Sequence, residues 1–318
     1  MSKVEFVLAL DTSNYTTSVA LLNTDGECIL NAKKLLPVKA GERGLRQSDA
    51  VFHHTSQLPE LLERIKPYTA SGRIVAVGVS ERPRNVEGSY MPCFLVGQTV
   101  AEGISASLSV PLYRFSHQCG HIMAALYSAG VWENYPDELA AFHVSGGTTE
   151  LVRVKKSESG FITEKLGGTA DLNAGQVIDR IGVRMGLGFP AGAELERLAL
   201  QNDKKVPKRK ISQNEMTVNL SGLENMAIKL YSDCADKSLV AAFVFDYVGR
   251  AIVAMSEAYE ERYGKAQFVY AGGVMCNSII KKMLSERFSA FFAEPMLSAD
   301  NAVGVAALAL LKYKSENF

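Results

Sequence analysis

Two histidines four residues apart, His117 and His121 in "SHQCGHIMAAL", stand at the front of an apolar run in a chain that has only five histidines in 318 residues. On a helix that spacing puts both imidazoles on one face, one turn apart. It is also the spacing with which HExxH helices grip zinc. The second position here is Gln118, so the glutamate that would activate water is missing and a peptidase reading loses its base. A histidine pair needs at least one further protein ligand, usually a carboxylate or another imidazole. His53, His54 and His143 show no matching spacing, whereas Asp300 in "LSADNAVGVAALALL" precedes a helix of small apolar residues. Two imidazoles and one carboxylate make an open site suited to iron or zinc, with positions left for substrate oxygens. The plain alternative is two helical histidines that share a face, and an aspartate that caps the helix after it.

Three turns of small or polar residues offer a second kind of chemistry. "VEFVLAL", "DTSNYTT" and "SVALLN" form one strand–turn–strand pattern, and "ELAAFHV", "SGGTT" and "ELVRVKK" repeat its layout near the middle of the chain. Small polar turns of this kind present backbone N–H groups and hydroxyls that suit a phosphate; a tight hairpin has the same need for small residues. In "AQFVYAGGVMCNS" a buried strand meets Gly272 and Gly273, then Asn277 at the next helix start. A helix start offers unpaired N–H groups and the positive end of a dipole, and Asn277 can equally serve only as its cap.

The elements that position these groups read as mixed α/β. "AGQVIDRIGVRMGL" and "LVAAFVFDYVGRAIVAMSEAYEERY" carry apolar residues at helical spacing between the strand patterns. The recurrence of the hairpin over half the chain predicts two related lobes. Lys plus Arg and Asp plus Glu balance at 34 each, so no global field draws a polyanion and nucleic acid must be met by a local patch or with help. The one dense basic run, "NDKKVPKRKIS", reads as a solvated loop, with phosphate contacts by Lys204, Lys205, Lys208, Arg209 and Lys210 as the alternative. Five cysteines without CxxC spacing point to a reduced, cytoplasmic chain. No apolar run reaches a bilayer-spanning length, and no membrane role is expected.

Seven stretches in order, "LALDTSNYTTSVAL", "HQCGH", "VSGGTTEL", "AGQVIDRIGVRMGLGFPAGAELERLA", "NLSGLEN", "AGGVMCNS" and "SADNAVGVAAL", resemble the tRNA N6-threonylcarbamoyladenosine synthase family, formerly called glycoproteases. The resemblance runs over nearly the whole chain. It implies a two-lobed fold like actin, sugar kinases and heat-shock chaperones, with a duplicated ribonuclease-H-like core and nucleotide in the cleft. The expected division is an N-terminal lobe over 1–115, a second lobe over 116–298 and a C-terminal helix over 299–318 that packs back on the first. By the resemblance, His117, His121 and Asp300 would hold one divalent ion, iron or zinc. Ser145, Gly146 and Gly147 would hold phosphate or a metal-bound acyl group, and Asp179, Gly192, Glu196 and Asn277 the adenosine. The implied reaction moves a threonylcarbamoyl group from its adenylate to an adenosine of tRNA. The implied partners are tRNA, a smaller related dimerisation partner and an ATPase.

Three departures bear on that expectation. The family's Cys-Asp-Glu-Thr in the first turn is Asn14-Tyr15-Thr16-Thr17 here, so both acidic residues are gone. The histidine usual after the second glycine loop is Thr148, which could contact the acyl substrate. A glycine-rich segment is replaced by "RPRNVEGSYMPCFLVG", whose Arg82 and Arg84 could clamp a carboxylate or phosphate of the acyl substrate. The pattern is that of a divergent paralog. It leaves room for a different carbamoyl acceptor, or for a nucleotide-binding protein without catalysis.

Overall fold

The computed structural model describes residues 3–13, 15–37, 45–157, 160–298 and 300–317; Asn14 of the first turn lies outside the described residues. In chain order the first half forms β1 (Val4–Asp11), β2 (Thr16–Asn23), β3 (Cys28–Leu35), α1 (Gln47–Glu63), the single turn α2 (Lys66–Thr69), β4 (Gly72–Arg82), α3 (Phe94–Leu108), β5 (Leu112–Ser116) and α4 (His117–Ser128). There follow β6 (Glu138–Val144), β7 (Thr149–Ser157), β8 (Gly160–Thr169), α5 (Ala174–Arg184), α6 (Gly192–Ala199), β9 (Ser212–Asn214), β10 (Thr217–Asn219), α7 (Ser221–Cys234) and α8 (Lys237–Tyr263). The chain ends through β11 (Gln267–Ala271), a 3-10 turn at Gly273–Cys276, α9 (Ser278–Ser285), β12 (Ser289–Phe292), the short α10 (Pro295–Ser298) and α11 (Val303–Asn317).

Two compact units result. The first comprises Met1–Tyr135, Lys156–Ile162 and Met296–Phe318, the second Pro136–Lys155 and Thr163–Pro295. The first sheet has the order β3-β2-β1-β4-β5, with β1–β2 and β2–β3 antiparallel and β1–β4 and β4–β5 parallel. The second sheet runs β12-β11-β6-β7-β8-β10-β9. Its β6–β7 pair is antiparallel and its β6–β11 and β11–β12 pairs are parallel. Reading β6, β7, β8, β11 and β12 as equivalents of β1 to β5 makes one topology repeat, with β10 and β9 added at an edge. Both hairpins read from the sequence are present.

The boundary expected at residue 115 falls instead after Tyr135. The cause is α4, whose buried residues pack on α11 and β4 of the first unit rather than opening a second core. The α11 helix lies on the face of the first sheet opposite Phe6, Leu8 and Leu10, which pack with Leu58, Leu61 and Ala101. Gly78 of β4 faces α11, because a Cβ there would meet Ala309 Cβ at 2.9 Å. By the two-residue period of a strand, Ala9 and Asp11 of the neighbouring β1 share that face.

The second core is built on α8. This helix of 27 residues is long and apolar enough to cross a membrane by length and composition, which corrects the reading that no segment is. Its polar residues, such as Asp246 and Arg250, interrupt the apolar run without lowering its average. Most of its apolar side chains, among them Val240, Phe243, Val244, Val248 and Ile252, are buried in this core with Phe142, Phe268 and Tyr270, as expected of a core helix.

In the first unit α4 and α11 approach closely at a pair of glycines. A Cβ on Gly304 would sit 1.9 Å from the Gly120 carbonyl oxygen and 2.7 Å from the Ala124 nitrogen, both helix backbone that a side-chain rotation cannot move. Gly304→Ala is therefore expected to lower unfolding free energy by about 3 kcal/mol in denaturant titration, the upper range for overpacking. Gly103→Ala on α3 is the control, since its Cβ meets nothing within 4 Å; it should be neutral or stabilising by up to about 1 kcal/mol.

Candidate metal centre and nucleotide pocket

The backbone of the first unit brings four sequence-distant side chains to one point. Ser116 ends β5 and caps α4, its Oγ accepting the Cys119 amide at 3.2 Å. The cap fixes the start of the helix, so His117 and His121 project from successive turns. Asp300 lies just ahead of α11, and the capping role open to it belongs to Asn301, whose Oδ1 accepts the Val303 amide at 3.0 Å. The Asp300 carboxylate turns instead toward the histidines.

The donor atoms converge. His117 Nε2 and His121 Nε2 are 2.9 Å apart, and Asp300 Oδ1 is 3.2 Å from His121 Nε2 and 3.4 Å from His117 Nε2. One ligand atom from each lies within 4.8 Å of the others. Two ligand atoms each about 2.1 Å from one ion, at angles between tetrahedral and octahedral, lie roughly 3.0–3.4 Å apart, so the spacing fits a common ion. Asp11 completes the arrangement from β1: its Oδ2 is 2.7 Å from His117 Nδ1 and its side chain is 1 % exposed. A carboxylate on Nδ1 holds the proton there and directs the Nε2 lone pair at the ion.

The electrostatics agree with the geometry. Burial works to lower the His117 pKa, and the charges and hydrogen bonds of Asp11 and Asp300 override it, pushing it up to about 10. Burial would raise Asp300, but hydrogen bonds and charge from His117 and His121 hold it well below the carboxylate range. Asp11 likewise is lowered against the pull of its own burial, by the His117 charge and hydrogen bond. The cluster demands a cation, whether proton or metal. An imidazole pair with one carboxylate suits zinc or iron.

Arg82 and Arg84 follow at the end of β4. Arg82 stands opposite Ser116 in the β4–β5 register, so its backbone is beside the first residue of the histidine helix. Its guanidinium pairs with Glu81 at 3.1 Å. The Arg84 amide donates to Ser89 Oγ at 3.0 Å, and the Gln118 amide to the Pro83 carbonyl at 3.0 Å. The substituted segment is thus folded onto the start of α4.

The second unit carries a cavity of about 340 Å³ lined by Gly146, Asp179, Gly192, Glu196, Asn277 and others. Its apolar wall includes Ile178, Pro190, Phe245 and Val274, none of which stood out in the sequence. Gly175 lets α5 start against the glycine turn: a Cβ there would lie 2.6 Å from the Gly146 nitrogen. Asp179 Oδ1 accepts the Ala191 amide at 2.8 Å, tying α5 to the start of α6. Glu196 Oε1 accepts from the Ser278 amide at 2.7 Å and its hydroxyl at 2.6 Å. Asn277 caps α9, its Oδ1 accepting the Ile280 amide at 3.0 Å. Its Nδ2 is buried with no partner among the described residues, so the cap accounts for only half of this side chain.

Ser145 and Gly147 flank Gly146 in the turn without lining the cavity. Ser145 Oγ accepts from the Gly147 and Thr148 amides at 3.3 and 3.2 Å, and Thr148 closes the turn through its carbonyl on the Ser145 amide at 2.7 Å. Gly146 and Gly147 are exposed, with nothing within 4 Å of an added Cβ. The sequence-derived residues thus fall in two groups. His117, His121 and Asp300 belong to one, joined by the unforeseen Asp11; Gly146, Asp179, Gly192, Glu196 and Asn277 belong to the other.

Behind the first hairpin lies a further buried histidine. Thr17 Oγ1 donates to Gln57 Oε1 at 2.8 Å and is 2.8 Å from His54 Nδ1, so Nδ1 must be the protonated nitrogen. His54 is fully buried and its Nε2 meets no partner among the described residues. Burial lowers its pKa from 6.5 to about 4, against the opposing pull of Asp11 and Asp300.

Two outcomes follow from this geometry. Asp11→Asn should weaken zinc or ferrous-ion binding by about 10- to 100-fold in chelator competition, because the orienting carboxylate is lost. For His54 the folded pKa lies below the unfolded value, so its contribution is complete above pH 6.5 and is lost as pH falls toward about 4. Wild type should lose roughly 2–3 kcal/mol more than His54→Gln between pH 7 and pH 4 in chemical denaturation; parallel curves would refute the assignment.

The comparisons with known proteins bear on the family and the fold. The family model of TsaD, tRNA N6-adenosine threonylcarbamoyltransferase, matches residues 38–307. Curated relatives of that name include one from Streptococcus suis, 30% identical over 336 residues that cover 100% of this chain and 95% of the relative. Another, from Methanopyrus kandleri, is 27% identical and covers 93% of this chain and 84% of its own length. Among solved structures, T. kodakarensis HypF aligns with a TM-score of 0.62 at 14% identity, over 99% of this chain and 49% of HypF. The Acidaminococcus fermentans (R)-2-hydroxyglutaryl-CoA dehydratase component A gives 0.57 at 17% identity, over 97% and 99%. A Streptomyces griseus ROK glucokinase, solved with glucose and AMPPNP, gives 0.53 at 12% identity over 96% and 99%. These likenesses show a fold shared with HypF, a dehydratase component and a sugar kinase. With its repeated sheet topology and a family match over most of its length, the chain belongs to the tRNA N6-adenosine threonylcarbamoyltransferase family.

Proposed function

We propose that this protein transfers a threonylcarbamoyl group from its adenylate to an adenosine of tRNA, in the cytoplasm, with His117, His121 and Asp300 as ligands of one divalent ion, zinc or iron. The observation that carries the reading is the convergence of these three side chains, backed by Asp11, in a chain of this family. When bound, the ion would supply Lewis-acid polarisation of a carbonyl. The chain's own residues would do the rest. Asp11 keeps the His117 proton on Nδ1, so the imidazole faces the ion as a neutral ligand. In the second unit Gly146 leaves room for a close phosphate approach, and Asp179 or Glu196 supplies acceptors for ribose hydroxyls. The Asn277 amide, half of its hydrogen-bonding capacity unused, is a donor for the base.

The first turn argues for a changed substrate within this reaction type. Tyr15 and Thr16 stand where the family resemblance expects two acids, and Arg82 and Arg84 stand in the segment beside the histidine helix. An acyl group with one more negative charge, or another carbamoyl acceptor, would fit that exchange. The binding-only reading is weaker, because it gives the histidine–aspartate convergence no task.

Metal-replete protein incubated with threonine, bicarbonate, ATP, an adenylate-forming enzyme, tRNA and the smaller related partner and ATPase expected for the family should yield threonylcarbamoyladenosine in digested tRNA, read by mass spectrometry. His121→Ala should lower the yield at least about a hundredfold, the scale of removing Lewis-acid stabilisation. Absence of the product with every component present would overturn the assignment.

A further inference from the structure

The basic segment 204–213 is laid out along α8. Lys204 Nζ pairs with Asp236 at 2.6 Å just before the helix. Lys208 pairs with Asp246, which Arg250 Nε also meets at 2.9 Å. Arg250 Nη1 donates to the Arg209 carbonyl at 2.8 Å, and Gln213 Nε2 to the Ala254 carbonyl at 2.9 Å. The attachment points advance with the sequence from Asp236 to Ala254. Eighteen residues of helix at about 1.5 Å each make a track of roughly 27 Å. The segment is held extended by these bonds.

The anchoring sorts the cations. All five cations are exposed, but Lys204 and Lys208 are paired with Asp236 and Asp246, whereas Lys205, Arg209 and Lys210 have no such pair among the described residues, and no Asp or Glu occurs between Asp203 and Glu215. Exposed Ser212, Gln213 and Asn214 of β9 extend the strip at the sheet edge. Counting Lys204, Lys205, Lys208, Arg209, Lys210 and Arg250 against Asp203, Asp236 and Asp246 leaves a local excess of positive charge on a chain whose total is zero. The segment leaves the C-terminal end of α6, the helix whose first turns line the nucleotide cavity.

We infer that this strip is a docking surface for the RNA phosphate backbone, with Lys205, Arg209 and Lys210 as its contacts. It rests on the tRNA reading above and adds where the RNA is met. A flexible lysine loop would lose its conformational freedom on binding; here that cost is met in folding, by the bonds to α8. Cations on an extended backbone, flanked by serine and amide side chains, suit a row of phosphates rather than base edges. The contacts are therefore independent of sequence and sensitive to salt.

The test is fluorescence anisotropy of labelled tRNA with the full-length protein over a range of NaCl. The variant Lys205→Ala/Arg209→Ala/Lys210→Ala should bind at least about tenfold more weakly at low salt, and its log–log salt slope should shrink by about 2–3. Retained adenine-nucleotide affinity would show that the variant is folded. A control variant, Lys66→Ala/Lys229→Ala/Lys282→Ala, removes the same charge elsewhere and should leave the slope unchanged. Equal losses in the two variants, an unchanged slope in the first, or no tRNA binding by wild type would each overturn the inference. Intact, strip-dependent tRNA binding without threonylcarbamoyl transfer would count against the proposed reaction alone.

Discussion

The first unit depends on how closely α4 and α11 approach. A methyl group added at Gly304 would overlap the Gly120 carbonyl oxygen, and one added at Gly120 would press on the Val305 side chain. That distance sets where Asp300, just ahead of α11, meets the imidazoles of the first two turns of α4. The sheet adds a third constraint, since Asp11 ends β1 on the face that both helices cover. The four side chains come from three separate stretches of the chain: β1, α4 and the residue just ahead of α11. Their convergence is a property of the packed unit, which is why burial and strong mutual electrostatics occur together there.

Buried carboxylate and imidazole groups in contact raise a question of stability. Each desolvated charge is costly alone, and such groups persist when hydrogen bonds and opposite charges offset that cost. The Asp11–His117–Asp300 chain meets this condition. His54 illustrates the opposite solution, since it is buried without a carboxylate in direct contact and stays neutral. The two histidines occupy one unit and differ only in what faces them.

Much of this was legible in the sequence. The His117–His121 spacing, the strand–turn–strand patterns and the glycine turn before Asn277 are local signals, and each maps onto an element that forms as read. The role of Asp11 was not legible, because an aspartate at a strand end looks the same whether or not a histidine 106 residues away reaches it. The unit boundary was missed for a similar reason. The apolar face of α4 specifies burial without specifying which core receives it. Asp300 could be read as a cap or as a ligand, and only the backbone path, which gives the cap to Asn301, decides between them. Phe245 escaped notice because the apolar period of α8 does not distinguish a side chain that lines a cavity from those that fill the core.

The repeated topology has a consequence at the strand ends. β1 and β6 are equivalent strands, and each runs into the turn of its hairpin. In the first copy the strand closes on the carboxylate of Asp11; in the second it opens into Ser145 and two glycines, with the Gly147 and Thr148 amides turned onto the Ser145 hydroxyl. The equivalent corners thus carry different groups, a carboxylate in one and a hydroxyl that gathers backbone amides in the other. Because the copies belong to separate sheets, the exchange of acids for Tyr15 and Thr16 could proceed in one without touching the other. Duplication has made the chemistry of this protein modular at the level of single turns.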